Sequence, residues 1–469
     1  MEILQLTSLL NLLRFKRTVY LDNNATTRVS RGVRAVMART LRLHFGNPSS
    51  LYRQGRLSAQ IIEDARSQVA QAIRAQPREV YFTGCATESN NAILQSVGNR
   101  FLPEKKKIIA TPLEHPSVIA TLKSLANRGM IVEYCPVDRF GRARLCDMER
   151  MIDTDTVLIC CMLANNEIGT IQDIKAVSTM AHQRGVLVMS DCVQALGKFP
   201  IDVHDLGVDY ATFSAHKLHG PKGIGALYVK EGTPFSPLLH GGHQEEGMRA
   251  GTESVHNIAG FGKACDEIGT LLSRTESVRL LRNRLAKRLR EVKPDCIINS
   301  PETDSLLNTL SVTFPGIKSD GLMAMLDFHG IAVSAGSACS SHDEKPSHVL
   351  TAIGLSDDQA RETIRLSLSH ETAQRDIDYA VKKIAAYVNG ERSSVTMLPP
   401  AQLTESVLFA PQTFILDVRP RRCRLRHKGL PNSHEVPVLS VDRFLHCIPR
   451  DKNILVVCQG GGLSVMIAY

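Results

Sequence analysis

The chain has 469 residues, 43% of them apolar and 22% charged, with a net charge of +9 at pH 7 and an isoelectric point near 9.0. That length accommodates two or three domains and that apolar fraction supplies cores for them, which excludes a fibrous or disordered chain. The densest basic stretches, Arg279 to Arg290 and Arg419 to Arg426, have no basic–aromatic interleaving, so they read as solvated surface and no direct nucleic-acid partner is expected.

The first residues, Met1-Glu-Ile-Leu-Gln-Leu-Thr-Ser-Leu-Leu10, precede the basic Arg14, Lys16 and Arg17. A secretory signal places its charge first, so none is expected here. No apolar run approaches the ~18 residues of a membrane span, so no membrane partner is expected either. The twelve cysteines then suit a reducing compartment, with the cytoplasm as the expected location and an organellar address left open. Seven β runs follow, at Val80 to Phe82, Lys107 to Thr111, Ile131 to Tyr134, Thr156 to Met162, Leu187 to Asp191, Tyr210 to Ser214 and Gly225 to Val229. Helical segments separate them, which predicts an α/β fold with an open, mainly parallel central sheet and functional residues at strand C-terminal ends.

The first run continues into Gly84-Cys-Ala-Thr-Glu-Ser-Asn-Asn91, a tight turn and a helix start. Backbone N–H groups there favour an anion, and the Thr87 hydroxyl adds a donor, although as a capping pattern alone Thr87 says little. Cys160 and Cys161 lie inside an apolar run, where a thiol is a small hydrophobe. No CxxC pair occurs, so neither zinc nor dithiol redox chemistry is expected. Leu187-Val-Met-Ser-Asp191 ends in an acid, with Gln194 three residues on. The run ending at Ser214 continues as Ala-His-Lys-Leu-His-Gly-Pro-Lys-Gly. A lysine at a strand end, held between Ser and His and followed by a glycine-rich turn, suits a Schiff base with an aldehyde cofactor, the neighbouring donors holding a phosphate. Lys217 therefore points to pyridoxal 5'-phosphate. Asp191 suits its pyridinium nitrogen, keeping the ring an electron sink, and Gln194 its ring hydroxyl; the other reading of Asp191 is a cap on the next helix. Finally, Ser334-Ala-Gly-Ser-Ala-Cys-Ser-Ser341 runs into His342-Asp-Glu-Lys-Pro346, a composition that predicts an exposed, mobile loop bearing Cys339 as a nucleophile.

Together with Tyr20-Leu-Asp-Asn-Asn-Ala-Thr-Thr27, Phe45-Gly-Asn-Pro-Ser-Ser50, Glu114-His115, Asn165-Asn-Glu-Ile-Gly169 and Arg249-Ala-Gly-Thr252, these segments run in family order over residues 18 to about 390. In this the chain resembles the cysteine desulfurases of the IscS/NifS-like group, class V pyridoxal-phosphate enzymes. The resemblance implies a type I pyridoxal-enzyme fold with a smaller α+β domain, and a homodimer with sites at the interface. It implies that Lys217 bonds the cofactor and later moves the substrate α-proton, and that His115 stacks on the ring and serves in proton transfer. Asn166 would lie near the ring and the substrate carboxylate, while Ala86, Thr87, Ser214 and His216 hold the phosphate with Thr252 from the neighbouring subunit. Arg365, in Thr363-Ile-Arg-Leu-Ser-Leu368, would grip the substrate carboxylate, for which a guanidinium fork is better suited than a lysine.

On that pattern L-cysteine becomes L-alanine and its sulfur stays on Cys339 as a persulfide, for an acceptor such as an iron–sulfur scaffold or a thiolation protein acting on tRNA. His115 is the candidate base for the Cys339 thiol, with His342 second. A selenocysteine lyase is an alternative reading; a non-catalytic scaffold or fusion fragment is another, against which the intact set of Lys217, His115, Asp191, Arg365 and Cys339 argues.

The resemblance has three departures. Gly84-Cys85 stands where the family has Ser-Gly, displacing the glycine by one position and predicting weaker or rearranged phosphate binding. The Lys217 to Thr252 spacing is slightly short, which reads as a loop deletion. The third is the C-terminal region. The expected organisation is an arm over 1–17 and a desulfurase domain over 18–391, its cofactor part about 26–261 and its small part the arm with about 262–391. A linker over 392–403 leads to 404–469. There Thr413-Phe-Ile-Leu-Asp-Val-Arg419 and Asn453-Ile-Leu-Val-Val-Cys-Gln-Gly-Gly-Gly-Leu-Ser464 resemble part of a rhodanese-like domain, whose cysteine lies in a loop of N–H groups that favours a persulfide. Leu463 replaces the usual arginine, Gly429-Leu-Pro-Asn-Ser433 departs from the usual segment, and the region is short for a complete domain. Cys458 is thus either a relay taking sulfur from Cys339 or part of a structural remnant.

Overall fold

The computed structural model describes residues 18–336, 346–390, 404–419, 430, 432–436, 444, 447–449 and 451–457. The expectations for the arm, the linker, Cys339, His342, Cys458 and Leu463 lie outside the described residues. After β1 (Val19–Tyr20) come the seven anticipated strands: β2 (Val80–Thr83), β3 (Lys107–Ala110), β4 (Ile131–Tyr134), β5 (Thr156–Cys160), β6 (Leu187–Asp191), β7 (Tyr210–Ser214) and β8 (Gly225–Val229). They form one sheet in the order β2-β8-β7-β6-β5-β3-β4. Every pairing is parallel except those of β8, which runs antiparallel to both β2 and β7.

The sheet is covered on both faces, so its central strands are apolar throughout instead of alternating with polar residues. Ile109, Ile159, Val188, Ala211 and Phe213 pack into one core, under the helices Arg53–Ile73, Ile174–His182 and Val255–Asp266. Ile108, Leu158, Cys160, Met189 and Tyr210 point the other way, against Ala86–Phe101 and Pro116–Ala126. Cys160 and Cys161 belong to opposite faces, both fully buried. On the first face Gly262 lets two helices touch, since a Cβ there would lie 2.7 Å from the Ala65 Cα. The edge strand β4 is partly exposed, and its Glu133 pairs with Lys107 at 2.9 Å, a charged edge of the kind that resists further pairing.

The second core surrounds β9 (Ile297–Ile298), β10 (Thr309–Thr313), β11 (Ile331–Ala332) and β12 (Thr363–Ser367). Strands β12-β10-β9 are antiparallel, and β11 pairs in parallel with β1. Val19 and Leu21 are part of this core, beside the helices Thr275–Val292, Ser319–Phe328 and Gln374–Val388. From Val19 and Leu21 in this second core the chain passes along Asp22 to Thr27 toward the first sheet, where Thr27 Oγ1 donates to the His216 carbonyl at 2.9 Å. Farther on, β13 (Thr413–Asp417), β14 (Ser433–Glu435) and β15 (Asn453–Val457) form a parallel sheet ordered β14-β13-β15. Among the described residues its core is Leu416, Val418 and Val436, and the buried Asp417 carboxylate accepts from Nε and a terminal nitrogen of the Arg419 guanidinium, the shortest contact at 2.7 Å. Among the described residues, no helix is long and apolar enough to cross a membrane.

Candidate active site

Four neighbouring parallel strands deliver their following residues to one edge of the sheet, the edge where open α/β sheets bind ligands. Beyond β3 come Glu114 and His115; beyond β5, Asn165 and Asn166. Strand β6 ends in Asp191, and β7 ends in Ser214, followed by the single turn Ala215–Lys217. The Lys217 Nζ donates to the carbonyls of Asn24 at 2.6 Å and Ala25 at 2.7 Å. Asp191 is buried, its Oδ1 accepting from the Val193 N–H at 3.0 Å and its Oδ2 from Asn90 Nδ2 at 3.1 Å. A turn, not a helix, follows Asp191, so its carboxylate is no helix cap.

The turn expected to hold a phosphate forms with Cys85 at the position where the resemblance places a glycine. Cys85 has φ −175°, extended backbone open to any residue, so its side chain introduces no strain. The Gly84 N–H donates to Glu88 at 2.9 Å, and the helix beginning at Ala86 has no side-chain cap, which leaves its first N–H groups for an anion. Thr87 is exposed beside them. Gly225, at the start of β8, is the glycine the turn requires: a Cβ there would stand 2.7 Å from the Cys85 carbonyl carbon and 2.8 Å from the Ala86 nitrogen. His216 bonds Thr26 Oγ1 at 3.1 Å, and burial, helped by the charges of Lys217 and Lys222, pushes its pKa down to about 3. It is therefore a neutral donor or acceptor.

His115 caps the helix Pro116–Ala126. Its Nδ1 accepts the Ser117 N–H at 3.2 Å and lies 2.8 Å from the Ser117 hydroxyl. Burial holds the imidazole below its ordinary pKa; the charge of Asp191 opposes that shift, and those of Lys217 and His348 add to it. A neutral ring accepting at Nδ1 carries its proton on Nε2. In this state His115 is a donor at Nε2, so acting as a base there requires that it first give that proton up. Its neighbour Glu114 is fully buried, with Oε1 accepting from Thr111 Oγ1 and the Met162 N–H, each at 2.8 Å. Burial nevertheless pushes its pKa up to about 8, against those hydrogen bonds and with the Asp191 charge adding to the rise.

Arg365 is fully buried. One terminal nitrogen donates to the Asn166 carbonyl at 3.1 Å and the other to Asp22 at 2.7 Å, while Nε has no partner among the described residues. Gln194 bonds the Asn24 carbonyl at 3.0 Å through Nε2 and accepts from Lys198 Nζ at 2.5 Å through Oε1. Lys198 lines a cavity together with Lys217, and burial, then the charges of Lys217 and Arg365, hold its pKa far below the ordinary value. Arg249 pairs with Glu88 at 2.9 Å, next to the phosphate turn, and Thr252 is exposed beyond it. On either side of the segment bearing Cys339, Ser347 donates to Glu167 at 2.6 Å and a Cβ on Gly336 would stand 3.0 Å from the same carboxylate.

Five residues without an assigned role prove central: Asp22, Asn24, Asn90, Ser117 and Lys198. Asn24 bonds Asn166, Gln194, Lys198 and Lys217 beside the seven-stranded sheet and Thr309, Asn308 and Ser367 at the β12-β10-β9 sheet. The signal for it was the Asp22-Asn23-Asn24 run directly after an apolar strand. The donor set fits pyridoxal phosphate: an amine on a turn, uncapped helix N–H groups for a phosphate, and a buried carboxylate for a ring cation. Among the described residues, no cluster of three His, Cys, Asp or Glu could hold a metal.

The Aminotransferase class-V family matches residues 19–380. Cysteine desulfurase IscS of Dictyoglomus turgidum is 40% identical over 368 residues, 78% of this chain and 93% of that protein. That of Methanosarcina thermophila is 39% identical over 384 residues, 82% and 95% of the two chains. Among solved structures, a NifS-like protein superposes with a TM-score of 0.75 at 40% identity over 80% of this chain and 100% of that one. A structure of SspA in complex with cysteine gives 0.68 at 34% identity, covering 76% and 100%.

Proposed function

The chain belongs to the class-V aminotransferase family and is a pyridoxal-phosphate-dependent cysteine desulfurase, and from that membership we propose how its own residues divide the work. The observation carrying this division is the convergence of Lys217, Asp191, His115 and Arg365 at one sheet edge, with Asn24 bonded to Lys217 and to Asn166, whose carbonyl also holds Arg365. Once bound, the cofactor supplies an electron sink for the charge that develops at the substrate α-carbon.

Lys217 holds the cofactor and moves the α-proton at Nζ. The N–H groups at Ala86 and Thr87, with Ser214 and His216, hold the phosphate; Thr252 of a second copy completes that cup in a homodimer. Asp191 faces the ring nitrogen, and the remaining Gln194 N–H addresses the ring hydroxyl. The L-cysteine carboxylate takes Arg365, whose buried Nε, without a partner among the described residues, is a donor suited to it, with Asn166 alongside. The Cys339 thiolate bonds the substrate sulfur; the C–S pair stays with the carbon that becomes the alanine methyl, which then gains a proton. His115 transfers protons at Nε2 and takes the Cys339 proton only after releasing its own. The persulfide then passes to an acceptor such as an iron–sulfur scaffold or thiolation protein, in the cytoplasm.

The test is release of sulfide and alanine from L-cysteine with a reductant, wild type beside Cys339→Ala, with cofactor absorbance recorded. Equal sulfide and alanine, lost in the variant while the cofactor stays bound, is the expected result. Retention of both at the wild-type rate would overturn the role of Cys339; loss toward L-cysteine with activity kept toward selenocysteine would make the chain a selenocysteine lyase in preference.

A further inference from the structure

Asn90 lies on the first helical turns after the phosphate cup, fully buried, and every hydrogen-bonding atom of its amide is used. One Nδ2 hydrogen goes to Asp191 Oδ2 at 3.1 Å and the other to Ser117 Oγ at 2.9 Å, while Oδ1 accepts from Thr212 Oγ1 at 2.8 Å. The amide has only one tenable orientation. A carboxylate accepts and never donates, so the nitrogen must face Asp191. Ser117 Oγ, having accepted from Asn90, directs its own hydrogen at His115 Nδ1, 2.8 Å away, where the Ser117 N–H also points. The carboxylate of Asp191 thus sets the Asn90 amide and the Ser117 N–H sets the His115 tautomer, with the Ser117 hydroxyl bridging the two.

We propose that Asn90 is the positioning residue that couples Asp191 to His115 through Ser117, so that the carboxylate for the cofactor ring and the Nε2–H of the proton-transfer histidine are fixed as one unit. The inference rests on the proposed roles of Asp191 and His115 and goes beyond them, because Asn90 and Ser117 act only through those two. Lys217 and His348 also face His115, and Glu114 faces Asp191; the substitutions below leave all three in place.

The experiment compares holoenzymes carrying Asn90→Ala, Ser117→Ala, both together, Thr212→Val and Thr212→Ser. Three readouts apply: kcat and KM for L-cysteine, the thermal midpoint, and the midpoint of the pH titration of the bound cofactor's absorbance. Asn90→Ala should lower kcat roughly ten- to a hundredfold, the scale of a lost alignment, with KM within about threefold because Arg365 is untouched. It should also move the absorbance midpoint by about half a pH unit or more, since Asp191 loses a donor to its charged form. Ser117→Ala should lower kcat but leave the midpoint in place, and the double variant should match Asn90→Ala. Thr212→Val should give a weaker version of the Asn90→Ala effect, which Thr212→Ser reverses; this pair carries the test if Asn90→Ala does not fold. An unmoved midpoint with wild-type kcat in Asn90→Ala, or independent effects that multiply in the double variant, would overturn the coupling. Wild-type protein that makes no alanine would instead overturn the reading of the site itself.

Discussion

Glu114 shows how far burial alone can move a carboxyl group that lies one residue from His115. Its folded-state pKa of about 8 lies above the ordinary value of 4.5, so the folded chain binds this proton more tightly than the unfolded one. Its contribution to stability is therefore complete below the ordinary value and is lost as pH rises through about 8. Glu114→Gln keeps an acceptor for Thr111 and Met162 without a titrating proton. Its denaturation midpoint should fall less than that of the wild type between about pH 5 and pH 8, and parallel curves would contradict the assignment. Residues of this kind differ in how legible they are. Lys217, Asp191 and Thr87 announced themselves because each ends or follows an apolar strand, a position visible in the local sequence. Asn24 and Asn90 did not, because an asparagine's role is set by its partners: Asn24 meets Ser367 and Lys217, and Asn90 meets Asp191 and Thr212, all remote along the chain.

At the scale of elements, all seven strands of the main sheet were legible as apolar runs to within one or two residues at their ends. The direction of β8 was not foreseen, although the spacing contained it. Only Ala215 to Ile224 separate β7 from β8, too short for the crossover that a parallel neighbour needs, commonly a dozen residues or more. That reversal places Gly225 against the phosphate turn and moves the need for a glycine from the turn to the strand beside it. Gly225→Ala must push the Cys85–Ala86 peptide away from contacts of 2.7 and 2.8 Å, and overpacking of that sort costs about 1–3 kcal/mol. Cofactor affinity should fall by about tenfold or more, with the far-ultraviolet circular dichroism of the wild type retained. Cys85→Gly, at an extended position with an exposed side chain, should bind cofactor within about threefold of the wild type. A reversal of that order in a spectroscopic titration would show that position 85, not 225, limits the cup.

At the scale of the whole molecule, the two large cores are joined at Asn24, and every described residue assigned to the site lies within 18–390. The family match ends at residue 380. Among the described residues, the C-terminal sheet has its own core of Leu416, Val418 and Val436, with Phe414, Ile448 and Val456 packed on it, separate from the two cores that carry the site. The sequence foresaw the strands Thr413–Asp417 and Asn453–Val457 from their apolar runs but not Ser433–Glu435, whose three residues carry no apolar signal. A chain ending at residue 390 should therefore keep cofactor binding and alanine release within about twofold of the full-length protein, because the groups that set kcat are untouched. If Cys458 is a relay, Cys458→Ser in the full chain should leave alanine release unchanged and abolish the second persulfide-bearing peptide seen by mass spectrometry after one turnover without reductant. A single labelled peptide, containing Cys339, in both wild type and variant would make the tail a structural remnant. A large loss of alanine release on truncation would show instead that the tail supports the desulfurase domain itself.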